Sequence, residues 1–308
     1  MRFFVAVTDA DWFKFLSSSG PHDEVNFWQP SARRQFRALD PGELFLFKLH
    51  FPLNFIVGGG IFLSYRSLPV GLAWDAYSTK NGASSEKQMR ERITYYRKAY
   101  GGVSSDYDIG CIMLQAPFFF PEDYWIRASE WSSNIVQGKS YDTAAPHALG
   151  LLQQVRDHIQ YSAAMPVGVG EPVESARFGS PYVVTPRLGQ SSFRVMVTDA
   201  YTRRCAFTGS PVLHVLSAAH IRPFSDDGPH AVRNGLLLRQ DVHTLFDRGY
   251  LTITPEHRVV VSPSIKEEFD NGREYYAAHG KRIALPGDEN DWPAKEFLQW
   301  HNEHVYRG

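Results

Sequence analysis

The strongest chemical signal in the sequence comes from three residues in fixed order. His220 closes an apolar run, V-L-S-A-A-H-I; Asn234 comes after thirteen further residues, directly before Gly235; His243 comes after eight more in V-H-T-L-F-D-R, with Asp247 four positions beyond it. An imidazole with an unperturbed pKa of about 6.5 is poised to take a proton from water near neutral pH. At the end of an apolar strand the His220 ring would be held still, and the amide or backbone of Asn234 in the returning segment would fix its orientation. His243 and Asp247 share one face of a helix at their four-residue spacing. A neutral imidazole and a carboxylate give a divalent cation two ligands and leave its other positions open for water and phosphate oxygens. Arg222, Arg233, Arg239 and Arg248 surround the set, and no lysine does; the guanidinium fork matches phosphate geometry. A base, its orienting group, a cation site and phosphate grips are the parts that hydrolysis of a phosphodiester requires. Singly, His220 reads as a core histidine and the His243/Asp247 pair as a surface hydrogen bond, so the spacing of the whole set carries the signal.

The elements that must position these residues are legible around them. The stretch 204–249 reads as a strand ending at His220, a polar loop containing Asn234, and a helix bearing His243 and Asp247. At C-A-F-T-G (205–209), A-A-H-I (218–221), N-G-L-L-L (234–238) and H-T-L-F-D-R-G (243–249) it resembles the HNH endonucleases, which have the ββα-metal fold. The resemblance implies that His220 is the general base, Asn234 orients it, His243 binds the metal, and Asp247 is a second ligand where other members carry a second histidine. It also implies one divalent ion per site, Mg2+, Mn2+, Co2+ or Ni2+. Many members have a metal-ligating Asp or His just before the base; that position is Ala219 here. The cysteine pairs of zinc-stapled members are absent too, so packing by Val212, Leu213, Leu236, Leu238, Leu245 and Phe246 is expected to hold the fold.

Length and composition bound the rest. At 308 residues the chain suits two domains, and 43% hydrophobic with 21% charged residues is a globular composition. A formal net charge of -1 neither favours nor excludes a polyanionic partner, because local clustering makes a nucleic-acid footprint. Two cysteines, Cys111 and Cys205, exclude a disulfide framework and a four-cysteine zinc site. Asp9 and Asp11 interrupt the opening residues where a signal peptide would stay apolar. The longest apolar runs, such as 55–63 with its three glycines, are too short to span a bilayer. A cytoplasmic protein with no membrane partner is expected.

The first half reads as short strands and helices: a strand at 2–8, a helix at 11–16 capped by Asp9, a loop at 17–30 holding Asn26, Phe27 and Trp28, and strands at 43–50 and 54–65. Gly58, Gly59 and Gly60 inside the last of these predict a bulge or a close backbone approach and not a phosphate loop, since no G-x-x-x-x-G-K-[ST] pattern is present. Helices are predicted at 68–77 with Trp74, at 85–100 opened by Ser85 and Gln88 in capping-box spacing, and at 149–161, with a strand at 108–115 and a polar loop at 138–142 containing Tyr141 and Asp142. Residues 164–192, rich in Pro, Gly, Ser and Val without a period, predict a linker between domains at 1–163 and 193–308. The second domain adds a helix at 193–200, a strand pair at 250–254 and 258–262, and helices near 264–271 and 293–304.

F-F-V-A-V-T-D-A-D-W at the start, P-G-E-L-F-L-F-K-L, I-V-G-G-G-I-F and C-I-M-L-Q-A-P-F-F-F resemble the PUA superfamily, in particular EVE-like domains. The resemblance implies a β-barrel-type domain that flips a modified base into an aromatic pocket, where stacking and pairing of its polar edge recover the unstacking cost. Asn26, Phe27, Trp28, Trp74, Tyr141 and Asp142 are the pocket candidates. The two halves together are an α+β protein that looks like a modification-dependent restriction endonuclease, acting on double-stranded DNA containing 5-methyl- or 5-hydroxymethylcytosine. One active site per chain and two strands to cut favour a homodimer. The alternatives are an HNH nuclease whose first half reads unmodified DNA or a protein partner, and a nucleic-acid-binding protein with a degenerate nuclease fold, which Ala219 suggests.

Overall fold

The computed structural model describes residues 2–98, 107–128, 131–132, 134–164, 189–269 and 272–308. The chain divides into two compact units, Met1–Pro186 and Arg187–Gly308. Most of the predicted linker, the last two residues of the helix predicted at 85–100, and Asn271 lie outside the described residues.

The first unit is built on one sheet. Its elements are β1 (Arg2–Thr8), α1 (Ala10–Ser18), β2 (Glu24–Gln29), β3 (Leu44–Leu49), β4 (Phe55–Pro69), α2 (Val70–Tyr77), α3 (Glu86–Lys98), β5 (Asp108–Phe119), β6 (Ile126–Arg127), β7 (Gly138–Asp142) and α4 (Pro146–Ala164). The strand order is β2-β5-β4-β3-β1-β7, with β6 also on β4. The β1–β3 pair is parallel and the rest are antiparallel. The register shifts at Phe47/Lys48, Gly59/Ile61 and Phe62/Ser64, and the second of them is a bulge in the glycine run. A Cβ at Gly59 would lie 2.6 Å from the Phe45 carbonyl and 2.8 Å from the Phe118 ring, so the strands approach too closely there for a side chain. Phe3, Val5, Leu46, Ile56, Leu152 and Val155 form the core beneath α4. Asp9 caps α1 by accepting from the Trp12 N–H at 2.6 Å, and Ser85 accepts from the Gln88 N–H at 3.2 Å ahead of α3.

Two expected loops are strands. Residues 24–29 pair with β5 as β2, and every position from Glu24 to Trp28 is buried. A strand covered on both faces shows no polar–apolar alternation, and Glu24 is accommodated by Lys80 at 3.4 Å. Residues 138–142 pair with β1 as the edge strand β7, whose half-buried and exposed polar residues mimic a loop.

The second unit contains α5 (Gln190–Ala200), β8 (Leu216–His220), β9 (Gly235–Arg239), α6 (Gln240–Asp247), β10 (Leu251–Ile253), β11 (Val259–Val261), α7 (Ser264–Phe269), α8 (Arg273–Tyr276) and α9 (Lys295–His304). β8 and β9 form an antiparallel ribbon with His220 opposite Gly235 and Leu216 opposite Arg239. α5 and α6 both pack on this ribbon. The core is Phe193, Leu236, Leu237, Leu238, Val242, Phe246 and Leu298, each no more than 1% exposed. Val212, expected in this core, is 53% exposed, and Leu213 lies half-buried in a 3-10 turn ahead of β8. The turn precedes the ribbon and leaves these side chains outside the buried core. Cys205 supports the turn before the ribbon: its buried Sγ accepts from the N–H groups of Thr208 at 3.3 Å and Arg239 at 3.2 Å, while Ala206 N–H donates to the Leu237 carbonyl at 2.7 Å.

Candidate active site

His220 is the last residue of β8, and its ring is held from two sides. Phe193 of α5 stacks on it at 3.9 Å between centroids with the planes 14° apart. His220 Nε2 lies 2.8 Å from Nδ1 of His230. His230 in turn stacks on Phe224 at 4.7 Å and 9°. His220 Nδ1 makes no hydrogen bond among the described residues. Burial pushes the His220 pKa down to about 4, with His230 and His243 acting in the same direction and Asp247 against it. The ring is therefore neutral at neutral pH, which is the form a base needs.

His243 and Asp247 take up one face of α6, as the four-residue spacing dictates, with His243 Nε2 3.2 Å from Asp247 Oδ2. The His243 side chain is 17% exposed and the Asp247 side chain 56%. His243 Nδ1 is buried with no hydrogen-bond partner among the described residues, an unmet group at the centre of the set. The structure thus gathers His220, His230, His243 and Asp247 at the point where β8, the following loop and α6 meet. Among the described residues no three His, Cys, Asp or Glu side chains form a metal cage. The imidazole–carboxylate pair fits a divalent ion with open coordination positions, and the ion would supply a polarised water and charge neutralisation at the phosphate. Ala219 cannot contribute: its side chain is fully buried and alternates to the core side of β8.

The Asn234 side chain binds the loop backbone and makes no hydrogen bond to the His220 ring. Its Oδ1 accepts from the Arg222 N–H at 2.9 Å, and its Nδ2 donates to the carbonyls of Arg222 at 2.8 Å and Pro229 at 2.9 Å. Its own carbonyl accepts from Ile221 N–H at 2.9 Å. Asn234 is fully buried and ties both ends of the loop 222–230 together.

The four arginines differ in availability. Arg239 is held by Asp241 through two contacts of 2.6 Å and lies 3.7 Å from Glu274, so its fork is already occupied. Arg222 donates to the Asp226 carbonyl and lies over the Trp300 ring at 5.6 Å. Arg233 and Arg248 are exposed, and their side chains make no hydrogen bond or ion pair among the described residues. His230, Phe193 and Phe224 were missed in the sequence. A lone histidine between Pro229 and Ala231 gives no periodic signal, and Phe193 meets His220 only through the fold.

In the first unit the pocket candidates fall into three places. Asn26 donates to Asn81 Oδ1 at 2.8 Å and Trp28 Nε1 donates to the Asn81 carbonyl at 3.0 Å, so these two gather around the 3-10 turn Ser78–Asn81. Trp74 is half-buried on α2, which leads into that turn. Phe27 alternates to the other side of β2 and packs against Trp12, Phe45 and Phe47 at 5.4, 5.0 and 6.1 Å. Tyr141 stacks on Phe3 at 5.0 Å and Asp142 accepts from Ala144 N–H at 3.0 Å. Their strand, β7, is separated from β2 by four strands in the sheet order. Asn26 Oδ1 is buried without a hydrogen-bond partner among the described residues.

Residues 205–254 match the family model of the HNH endonucleases, and the second unit carries that domain. No curated protein matches the sequence. Among solved structures, the chain is similar to the ASCH protein of Zymomonas mobilis, with 14% identity over 49% of this chain and 94% of that one, TM-score 0.33. It is also similar to the modification-dependent TagI restriction endonuclease, with 14% identity over 94% of this chain and 77% of that one, TM-score 0.26. No helix among the described residues is long and apolar enough to cross a membrane.

Proposed function

We propose that the chain is a metal-dependent endonuclease that cuts double-stranded DNA, with His220 as the base and His243 and Asp247 as ligands to one divalent ion. The observation that carries this reading is the convergence of a neutral, rigidly stacked His220 with the His243–Asp247 pair inside the residues that match the HNH family. His220 takes the proton from the attacking water at Nδ1. His243 and Asp247 would hold the divalent ion, which would polarise the water and neutralise charge at the phosphate. Arg233 and Arg248 are the guanidinium groups available to grip flanking phosphates, and Arg222 stands beside the base loop. The first unit selects the substrate, and 5-methyl- or 5-hydroxymethylcytosine is the reading that its sequence resemblance supports. Asn26, with its unmet buried amide oxygen, is the residue to vary first on that unit.

The test is cleavage of matched duplexes carrying cytosine, 5-methylcytosine or 5-hydroxymethylcytosine with Mg2+, Mn2+, Co2+ or Ni2+. The expected result is cutting confined to one modified duplex, with Asn26→Ala weakening that preference. Equal cutting of all three duplexes would leave a nuclease and remove the modified-base reader. No cutting under any ion would remove the nuclease.

A further inference from the structure

On the nuclease reading of this unit, we propose that His230 is the positioning residue that orients the base and fixes its tautomer, and that the Asn234 side chain supports His220 by setting the loop that carries His230. His220 Nε2 and His230 Nδ1 stand 2.8 Å apart and share one proton. If His220 donates, its Nδ1 keeps a lone pair and can take a proton from water. If His230 donates, a neutral His220 carries its proton on Nδ1 and cannot act as a base there. The geometry around His230 holds the pair together. Its ring is stacked on Phe224, and the residue before it, Pro229, has its carbonyl bound by Asn234 Nδ2 at 2.9 Å. The same Asn234 side chain binds both the N–H and the carbonyl of Arg222, where the loop departs from the strand end. Asn234 therefore sets the loop, the loop sets His230, and His230 sets the His220 ring from the edge while Phe193 sets it from the face. As a proton arrives at Nδ1 during catalysis, the bare His230 Nδ1 remains in place to accept from Nε2–H of the cationic ring.

The experiment is a long-range 1H–15N correlation spectrum of the full chain with labelled histidine, paired with single-turnover cleavage of duplex DNA. In the wild type His220 is expected as the Nε2–H tautomer. In His230→Leu it is expected as a tautomer mixture, with cleavage slowed about 10–100-fold and DNA affinity unchanged. His230→Asn, which keeps an acceptor near the Nδ1 position, is expected to restore most of both. An Nδ1–H tautomer of His220 in the wild type overturns the proposal without needing any variant to fold. So does a His230→Leu protein with unaltered tautomer and rate. If the tautomer responds as expected but the wild type cuts no DNA with any of the four ions, the positioning stands and the nuclease reading fails. If the wild type and His230→Leu cut equally fast, the nuclease reading stands and the positioning fails.

Discussion

At the residue scale, two buried side chains away from the reacting groups have measurable consequences. Cys205 has no partner cysteine for a metal, and its thiol instead accepts from the Thr208 and Arg239 N–H groups. Cys205→Ala removes the acceptor of both part-buried hydrogen bonds and is expected to cost about 0.5–1.5 kcal/mol in urea unfolding, with a smaller loss for Cys205→Ser. His301 is stacked on Phe246 at 3.7 Å, with Nε2 3.1 Å from the Phe246 carbonyl and Nδ1 2.8 Å from Thr252 Oγ1. Burial pushes its pKa down to about 4, against the opposing pulls of the Phe246 carbonyl and Asp247. The unfolded chain therefore binds a proton at His301 before the folded one does. The stability it contributes is complete above about pH 6.5 and is lost as the pH falls toward 4. Thermal melting is expected to drop across that window, and His301→Gln to flatten the drop; an unchanged slope in the variant would contradict this. The residue types at the site were legible because their chemistry is local: a strand-end histidine, and a histidine and carboxylate one helical turn apart. His230 was not, because a single imidazole in a Gly/Pro loop acquires its partner only when the loop closes.

At the element scale, the ββα arrangement is held by how closely α5 approaches the ribbon. A Cβ on Gly235 would lie 2.5 Å from Val197 Cγ2 and 3.0 Å from the Phe193 ring. Gly235→Ala must displace Val197 or Phe193 and is expected to disturb the stack of Phe193 on His220. A loss of about 1–3 kcal/mol is expected in denaturant unfolding, together with slower cleavage; wild-type stability and rate would show that the approach is not what seats the base. Sequence patterns identified α6 and the β10–β11 pair, where periodicity and turn signals agree. They missed β2 and β7 for opposite reasons: β2 is buried on both faces and hides its alternation, while β7 is an exposed edge with polar residues. They also placed Val212 in the core, although it precedes the ribbon in an exposed turn. Asn234 shows the same limit at the site. Its position in the returning segment is plain from the sequence, but its hydrogen bonds go to the loop backbone, which only the folded path reveals.

At the scale of the whole molecule, the proposed function assigns chemistry to the second unit and selection to the first. The second unit holds every part of the proposed cutting site. The first offers a bulged sheet with a buried amide and aromatic cluster at β2 and the Ser78–Asn81 turn. The overall charge of -1 gives no general attraction to DNA, so the proposed function requires its affinity to come from local groups such as Arg233 and Arg248 and from the first unit. The most direct test is single-turnover cleavage of duplex DNA by the full chain, by His220→Ala and by His243→Ala, with and without a divalent ion. The wild type is expected to cut with at least one of Mg2+, Mn2+, Co2+ and Ni2+ and to stop when a chelator is added. His220→Ala is expected to be slower by about 10²–10⁴-fold, and His243→Ala to lose its response to metal. Cleavage that survives chelation, or a His220→Ala protein as fast as the wild type, would contradict it.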